Sequence, residues 1–227
     1  MPDKKEESKK NRTMFFIDGN NIYKTLSHMG IKLSPKDYIN LITFICKGFK
    51  EIHHIDLEYT NNNVHYYNSI PSINDGKEAY EKHMDFINAM KSLFNDNVTT
   101  RPLQYNSNEE IIAKKHELLE DLKLCKGCES VIKKTCSECI GIVKKREKGI
   151  DVAIAIDMVK FAYEDKFDYC VLISGDADFI PALNLVKKLG KKPLSSFILS
   201  KSYAYHLRQE FQNFFIKREN FEFDIQK

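Results

Sequence analysis

The sequence has no run approaching the ~20 consecutive apolar residues that a membrane-spanning helix requires. Its opening, MPDKKEESKKNRT, is charged throughout, where a secretory leader would enter an apolar core. Both absences predict a cytoplasmic protein with no membrane partner. A large charge excess is also missing. Lys and Arg number 35 against 32 Asp and Glu, a formal net charge of +3. That balance neither demands nor excludes a polyanionic partner, so only the local distribution of charge is informative. Beyond the N-terminal tail the densest basic cluster is Lys144, Lys145, Arg146 and Lys148, read either as a nucleic-acid contact or as a solvated face. No internal repeat is visible. The 227 residues therefore suit one large α/β domain, or a domain with a small appendage.

Residues 1–12 have the composition of a disordered polar tail, and one domain is expected over 13–227. MFFIDGNN predicts a buried strand ending at Asp18, then a helix from about Ile22 capped by Asn20 or Asn21. Ser34 and Pro35 open a second helix. The stretch 55–67 suggests strand pairing interrupted at its Asn-rich centre, 76–96 a helix, VTTRPLQY a strand, and 107–125 a charged helix. Then follow a helix in GIDVAIAIDMVKFAYED, a buried strand in FDYCVLIS, a helix in ADFIPALNLVKKLG closed by Gly190, a strand in KPLSSFIL, and a final helix in SYAYHLRQEFQNFFI. Such alternation predicts a doubly wound, mainly parallel sheet with helices on both faces and its site at the carboxyl ends of the strands.

That architecture puts Asp18 at the end of the first strand, Asp176 and Asp178 at the end of a later one, and Asp151 at the head of the intervening helix. Carboxylates gathered in one crevice repel each other. Two unit charges ~4 Å apart cost roughly 4 kcal/mol at an effective dielectric near 20, and a divalent cation removes the conflict. Oxygen ligands with few His or Cys nearby favour Mg²⁺ or Mn²⁺, which would activate water for attack on a phosphodiester. Each acid also has a modest reading: Asp178 as a helix cap, Asp18 as a turn residue, Asp151 as a complement to the helix dipole. Asp157 falls about 120° around the helix from Asp151, which points to a supporting or buried hydrogen-bonding role.

Four of the six cysteines fall in CKGCESVIKKTCSEC: Cys125, Cys128, Cys136 and Cys139, two CxxC pairs seven residues apart. The spacing predicts a closed, structural Zn²⁺ site in an insert at about 123–142, with a redox dithiol as the alternative. Cys46 and Cys170 sit in apolar runs and are expected in the core. His53 and His54 lack a partner motif and are assigned structural or surface roles, and the aromatic C-terminal segment a core or subunit-interface role.

Taken in order, FFIDGNNI, KGIDVAIAIDM and LISGDADFIPAL resemble the NYN family of PIN-like nucleases, in particular its branch related to LabA proteins. The resemblance spans most of residues 14–216. It implies a PIN-like Rossmannoid three-layer α/β fold, with the four-cysteine zinc-binding insert added, and metal-dependent cleavage of RNA. It maps the acidic ligands onto Asp18, Asp151, Asp176 and Asp178. Asn21 would orient Asp18, touch substrate or cap the helix; Ser174 would donate to a ligand carboxylate or shape the turn; Lys148 would contact phosphate or stay solvated. The insert would brace the loop carrying Lys144, Lys145 and Arg146. The leading expectation is a Mg²⁺- or Mn²⁺-dependent endoribonuclease on single-stranded or loop RNA, possible as a homo-oligomer. The alternative is an RNA-binding regulatory module with little or no turnover. Toprim-like or haloacid-dehalogenase-like phosphoryl chemistry ranks below both, because the first strand lacks the glutamate of the one and the DxD of the other.

Overall fold

Residues of TMFFID alternate between two apolar layers, and that alternation organises the protein. In this computed structural model, which describes residues 11–73, 76–105, 121–138, 145–146, 149–199, 205–221 and 225, the chain forms two compact units, Met1–Arg101 with Gly149–Lys227, and Pro102–Lys148. Residues 1–10 of the tail expected over 1–12, and 107–120 of the helix expected over 107–125, lie outside the described residues.

In the first unit the elements run β1 (Thr13–Asp18), α1 (Gly19–His28), α2 (Pro35–His53), β2 (Val64–Ile70), α3 (Lys77–Phe94) and β3 (Val98–Pro102). After the second unit come α5 (Ile150–Tyr163), β6 (Tyr169–Ile173), α6 (Ile180–Lys188), β7 (Lys192–Ile198), α7 (Tyr205–Glu210) and β8 (Gln212–Ile216). The sheet order is β3-β2-β1-β6-β7-β8, with β2–β1, β1–β6, β6–β7 and β7–β8 all parallel. Successive strand residues point to opposite faces. Phe15, Ile17, Val171 and Ile173 pack with Leu41, Ile45 and Phe49 of α2 and with Met90 of α3. Phe16, Cys170 and Leu172 pack with Ile154 and Met158 of α5 and Leu183 of α6. The result is the expected three-layer arrangement, with β1 and β6 adjacent at its centre.

Several expectations hold locally. Ser34 precedes α2, its backbone N–H donating to Asp37 Oδ2 at 2.7 Å, with Pro35 opening the helix. Gly190 follows α6 at φ +80°. His53 tethers α2 to the sheet edge, 2.9 Å from the Asn213 carbonyl, and His54 ends the helix in the left-handed region.

Other expectations are corrected. The first helix begins at Gly19, not Ile22, and its cap is Asp18, not Asn20 or Asn21. Residues 55–60 are not a strand: Ile55 and Leu57 are buried, but the ladder starts at Val64, after a short 3₁₀ turn over Asn61–Asn63. The C-terminal segment is not one helix. Only Tyr205–Glu210 is helical, and Gln212–Ile216 is the edge strand β8. Its Phe214 packs near Phe44 and Phe49 on one face, while Phe215 stacks on Phe197 from the other.

The second unit contains a short antiparallel pair, β4 (Gln104–Tyr105) with β5 (Lys145–Arg146), and the helix α4 (Lys126–Glu138). Cys125 and Cys128 are exposed at the head of α4, and hydrogen bonds from Cys128 hold the Cys125 thiol below its ordinary pKa. Cys136 falls within the same helix, and Cys139 lies outside the described residues. Eight helical residues carry Cys128 and Cys136 about 12 Å apart along the axis. The expected four-thiolate zinc site needs Cys139 and so lies in part outside the described residues.

Candidate active site

Asp18 closes β1 and is only 3% exposed. Its Oδ1 accepts the Asn21 backbone N–H at 3.0 Å, capping α1, and its Oδ2 accepts the Ser174 hydroxyl at 2.9 Å. Both donors are neutral, so they orient the carboxylate without discharging it. Close beneath lie Tyr38 and Tyr66, both fully buried. Burial pushes the Tyr38 phenol up to about 12 and raises Tyr66 as well, so these hydroxyls remain neutral.

The two central strands are joined at this end by the same serine. Ser174 follows β6, is 1% exposed, and also accepts the Asp176 backbone N–H at 3.2 Å. Its single hydroxyl thus ties the Asp18 carboxylate to the Asp176 backbone. Asp176, half-buried, accepts the Asp178 N–H at 2.9 Å and caps the 3₁₀ turn Ala177–Phe179 that leads into α6. Capping therefore belongs to Asp176, and Asp178 is exposed. The Asn21 side chain serves the neighbouring strand's loop: its Oδ1 accepts the Gly175 N–H at 3.0 Å.

Two residues beside Asp18 have structural roles that the motif alone did not reveal. Asn20 is buried and clasps Ser69 reciprocally, its Nδ2 donating to the hydroxyl at 2.9 Å and its Oδ1 accepting the Ser69 N–H at 3.0 Å. At Gly19, a Cβ would stand 2.4 Å from the Tyr66 hydroxyl oxygen and 2.7 Å from the Tyr67 carbonyl, so α1 reaches its place only without a side chain. The DGNN turn is thus a packing device as well as a source of polar groups.

Asp151 occupies the first turn of α5 and is exposed. α5 feeds the parallel strand β6, so its head is the end of the helix nearer the carboxyl edge of the sheet. Asp157, farther down, accepts the Tyr67 hydroxyl at 2.8 Å, and Tyr67 pairs in register with Asp18. Six residues separate the two acids, so Asp151 stands about 9 Å along the helix axis from Asp157. Asp157 has the hydrogen-bonding role, and burial raises the Tyr67 phenol it holds. Nearby His65 stacks on Phe16, centroids 5.5 Å apart, and faces Phe161; burial brings it down to about 4 against the opposing charge of Asp157.

Oxygen donors at the strand ends suit a hard divalent cation. Among the described residues, however, no group of three or more His, Cys, Asp or Glu side chains is gathered closely enough to hold a metal ion. The wired core is Asp18–Ser174–Asp176, with Asn21 beside it. Lys144 and Lys148 lie outside the described residues, and Lys145 and Arg146 contribute their backbones to β5. No helix of the described residues is long and apolar enough to cross a membrane.

No curated protein matches the chain. A crystal structure of a protein of unknown function, VPA0982 from Vibrio parahaemolyticus, is similar at 14% identity and a TM-score of 0.48, covering 93% of this chain and 96% of that one. The model of the NYN domain matches residues 12–217, from the start of β1 to the end of β8, and so includes every acid of the strand-end site. With nearly the whole sheet and its three motifs inside that match, the chain belongs to the NYN domain family, whose fold is shared with PIN-like nucleases.

Proposed function

We propose that this protein is a Mg²⁺- or Mn²⁺-dependent endoribonuclease acting on single-stranded or loop RNA. The observation that carries the reading is the hydrogen-bonded link from Asp18 through Ser174 to Asp176, which couples acids at the ends of two adjacent parallel strands. Open α/β sheets place their ligands at that edge. Asp18 and Asp176 would hold the cation, with water and substrate phosphate oxygens completing its shell, and Asp151 and Asp178 would act from the rim of the site. When bound, the ion supplies charge neutralisation at the phosphodiester and lowers the pKa of an attacking water. The chain's own contribution is orientation: Asn21 N–H and Ser174 fix both Asp18 oxygens, and Asn21 Oδ1 fixes the Gly175 turn from which Asp176 projects. Single strands are the expected substrate because A-form duplexes hide their base edges in a deep, narrow groove.

Incubation of the full chain with end-labelled RNA and Mn²⁺ should give fragments with 5′-phosphate and 3′-hydroxyl ends. EDTA and the double variant Asp18→Asn, Asp176→Asn should each abolish them. Undiminished cleavage by the double variant would reject the site. The lack of a three-acid group among the described residues favours a second reading, an RNA-binding module without turnover. Metal-dependent RNA binding with no cleavage over varied sequences would establish it.

Zinc enters the same proposal in restricted form. Four thiolates converge on one ion only if α4 opens between Cys128 and Cys136, so metal binding and helix formation compete in the insert.

A further inference from the structure

We infer that Asp157 is a positioning residue: its hydrogen bond with Tyr67 sets the stance of α5, and with it the rim carboxylate Asp151, against Asp18. The inference rests on the nuclease reading of the strand-end site and names the residues that align it. Register and face put the bond beside that site. Asp18 of β1 pairs with Tyr67 of β2, and Ile17 with Ile173 of β6, so Tyr67, Asp18 and Ser174 form one row across three strands at their carboxyl ends. Tyr67 shares the core layer beneath α5 with Phe16, two residues before Asp18, so its ring stands on the Asp18 side of the sheet. The ring is fully buried, and its hydroxyl donates to Asp157 Oδ2 at 2.8 Å.

Apolar packing supplies the bulk of the α5 seat. Ile150, Ile154, Met158 and Ala162 lie in one layer with Phe16 and Leu172, and Phe161 faces Phe16 and His65. Such packing holds a helix down but is non-directional, so it specifies rotation about the axis and sliding along it only weakly. A hydrogen bond to a single hydroxyl weakens steeply off line and fixes both. Burial raises the Tyr67 phenol, so the hydroxyl keeps its proton and remains a donor at neutral pH. With side chains a helix has a radius of about 5–6 Å, so a turn of about 20° about its axis moves a carboxylate by roughly 2 Å. Misplacement by ~1 Å can cost about 100-fold in rate. Asp151 is carried in the first turn of the same helix, so whatever fixes α5 also fixes this acid.

Variants of the full chain, assayed with end-labelled RNA and Mn²⁺, provide the test. Tyr67→Phe keeps the ring in its layer and loses only the hydroxyl, whereas Asp157→Ala loses the acceptor. Each should lower kcat about tenfold and leave KM within about twofold. The double variant should be no worse than either single one, since both remove the same bond. Asp157→Asn still accepts the phenol through its amide oxygen and should retain most of the rate. On an Asp151→Asn background, Tyr67→Phe should cost less than about twofold, because the acid it aligns is already neutral. Wild-type kcat in folded Tyr67→Phe, or a full tenfold loss on the Asp151→Asn background, overturns the inference. Amide hydrogen exchange across α5, read by mass spectrometry, needs no turnover. Exchange should quicken at least about threefold in Tyr67→Phe and stay near wild type in Asp157→Asn. Unchanged exchange in Tyr67→Phe overturns the inference even if no RNA is cut. A wild type that cuts no RNA, with exchange altered as expected, would reject the nuclease reading alone and uphold the anchoring of α5. If Asp157→Ala fails to fold, Tyr67→Phe and the exchange measurement still decide.

Discussion

Two regions carry the densest chemistry in this sequence, the acidic strand ends and the cysteine insert, and folding treats them oppositely. Asp18 and Ser174 are 156 residues apart in sequence, yet their side chains meet at 2.9 Å, because parallel pairing of β1 with β6 brings both strand ends to one edge. Cys128 and Cys136 are close in sequence, but α4 carries them apart. Residues at the ends of neighbouring strands are gathered by the sheet whatever their separation along the chain. Residues on one helix are gathered only at spacings of three or four, and a separation of eight spans about 12 Å.

Glycine substitution should show the contrast at its largest. Gly19→Ala would drive a methyl into the Tyr66 ring and the Tyr67 carbonyl, and one of these is backbone that has nowhere to retreat. We expect a loss of more than about 3 kcal/mol and collapse of the α1 cap that orients Asp18. Gly127→Ala in α4 meets nothing within 4 Å and should stabilise the helix by about 0.5–1 kcal/mol. Chemical denaturation of the two variants, followed by far-ultraviolet circular dichroism, makes the measurement. Equal effects would mean that the site is no more tightly packed than the insert.

A pH series comes next in size. The folded pKa of His65, about 4, lies below its unfolded value of 6.5, chiefly through burial. As pH falls below 6.5 the unfolded chain takes up a proton that the folded chain refuses, so stability declines until the folded imidazole also titrates near 4. The decline attributable to this group is on the order of 3 kcal/mol. His65→Phe keeps the ring between Phe16 and Phe161 and should flatten the dependence of the melting temperature between those two pH values. An unchanged slope would assign the acid sensitivity elsewhere.

Ser174→Ala tests the link at the centre of the site. Removal of the hydroxyl strips Asp18 Oδ2 of one donor and the Asp176 N–H of its acceptor, a loss of about 1–2 kcal/mol. Loss of alignment should lower RNA cleavage roughly tenfold, mainly in kcat. Ser174→Thr should recover part of both. A variant that loses stability but keeps kcat would make Ser174 a fold residue only.

Much of this site was legible because strand-end acids depend on a short, local signal, an apolar run that stops at Asp. FFID and VLISGDAD both have it, and the alternation with helices supplied their common edge. Capping was assigned less well. Asp, Asn and Ser all make good caps, and only coordinates distinguish Asp18 from Asn20 and Asn21, or Asp176 from Asp178. The strand β8 was misread for a different reason. Phe211, Phe214 and Phe215 stand at helical spacing, and a strand covered on both faces has no alternation to betray it. In the insert, the spacing of the cysteines suggested a metal site but said nothing about the helix propensity of the seven residues between the pairs.

That competition gives the smallest and most specific effect. Val131 lies in α4 between the two cysteine pairs and is 65% exposed, so exchanges there act chiefly on the backbone. Alanine favours the helix over glycine by about 1 kcal/mol. If zinc binding must open α4, that preference subtracts directly from metal affinity, and Val131→Gly should bind Zn²⁺ about fivefold more tightly than Val131→Ala in chelator competition. Zinc should also reduce the helical circular dichroism of the wild type. Equal zinc affinities in the two variants, with an unchanged helical signal, would show that any metal is held by Cys125 and Cys128 at the head of an intact helix, and that the paired motif describes two separate ends of one rigid element.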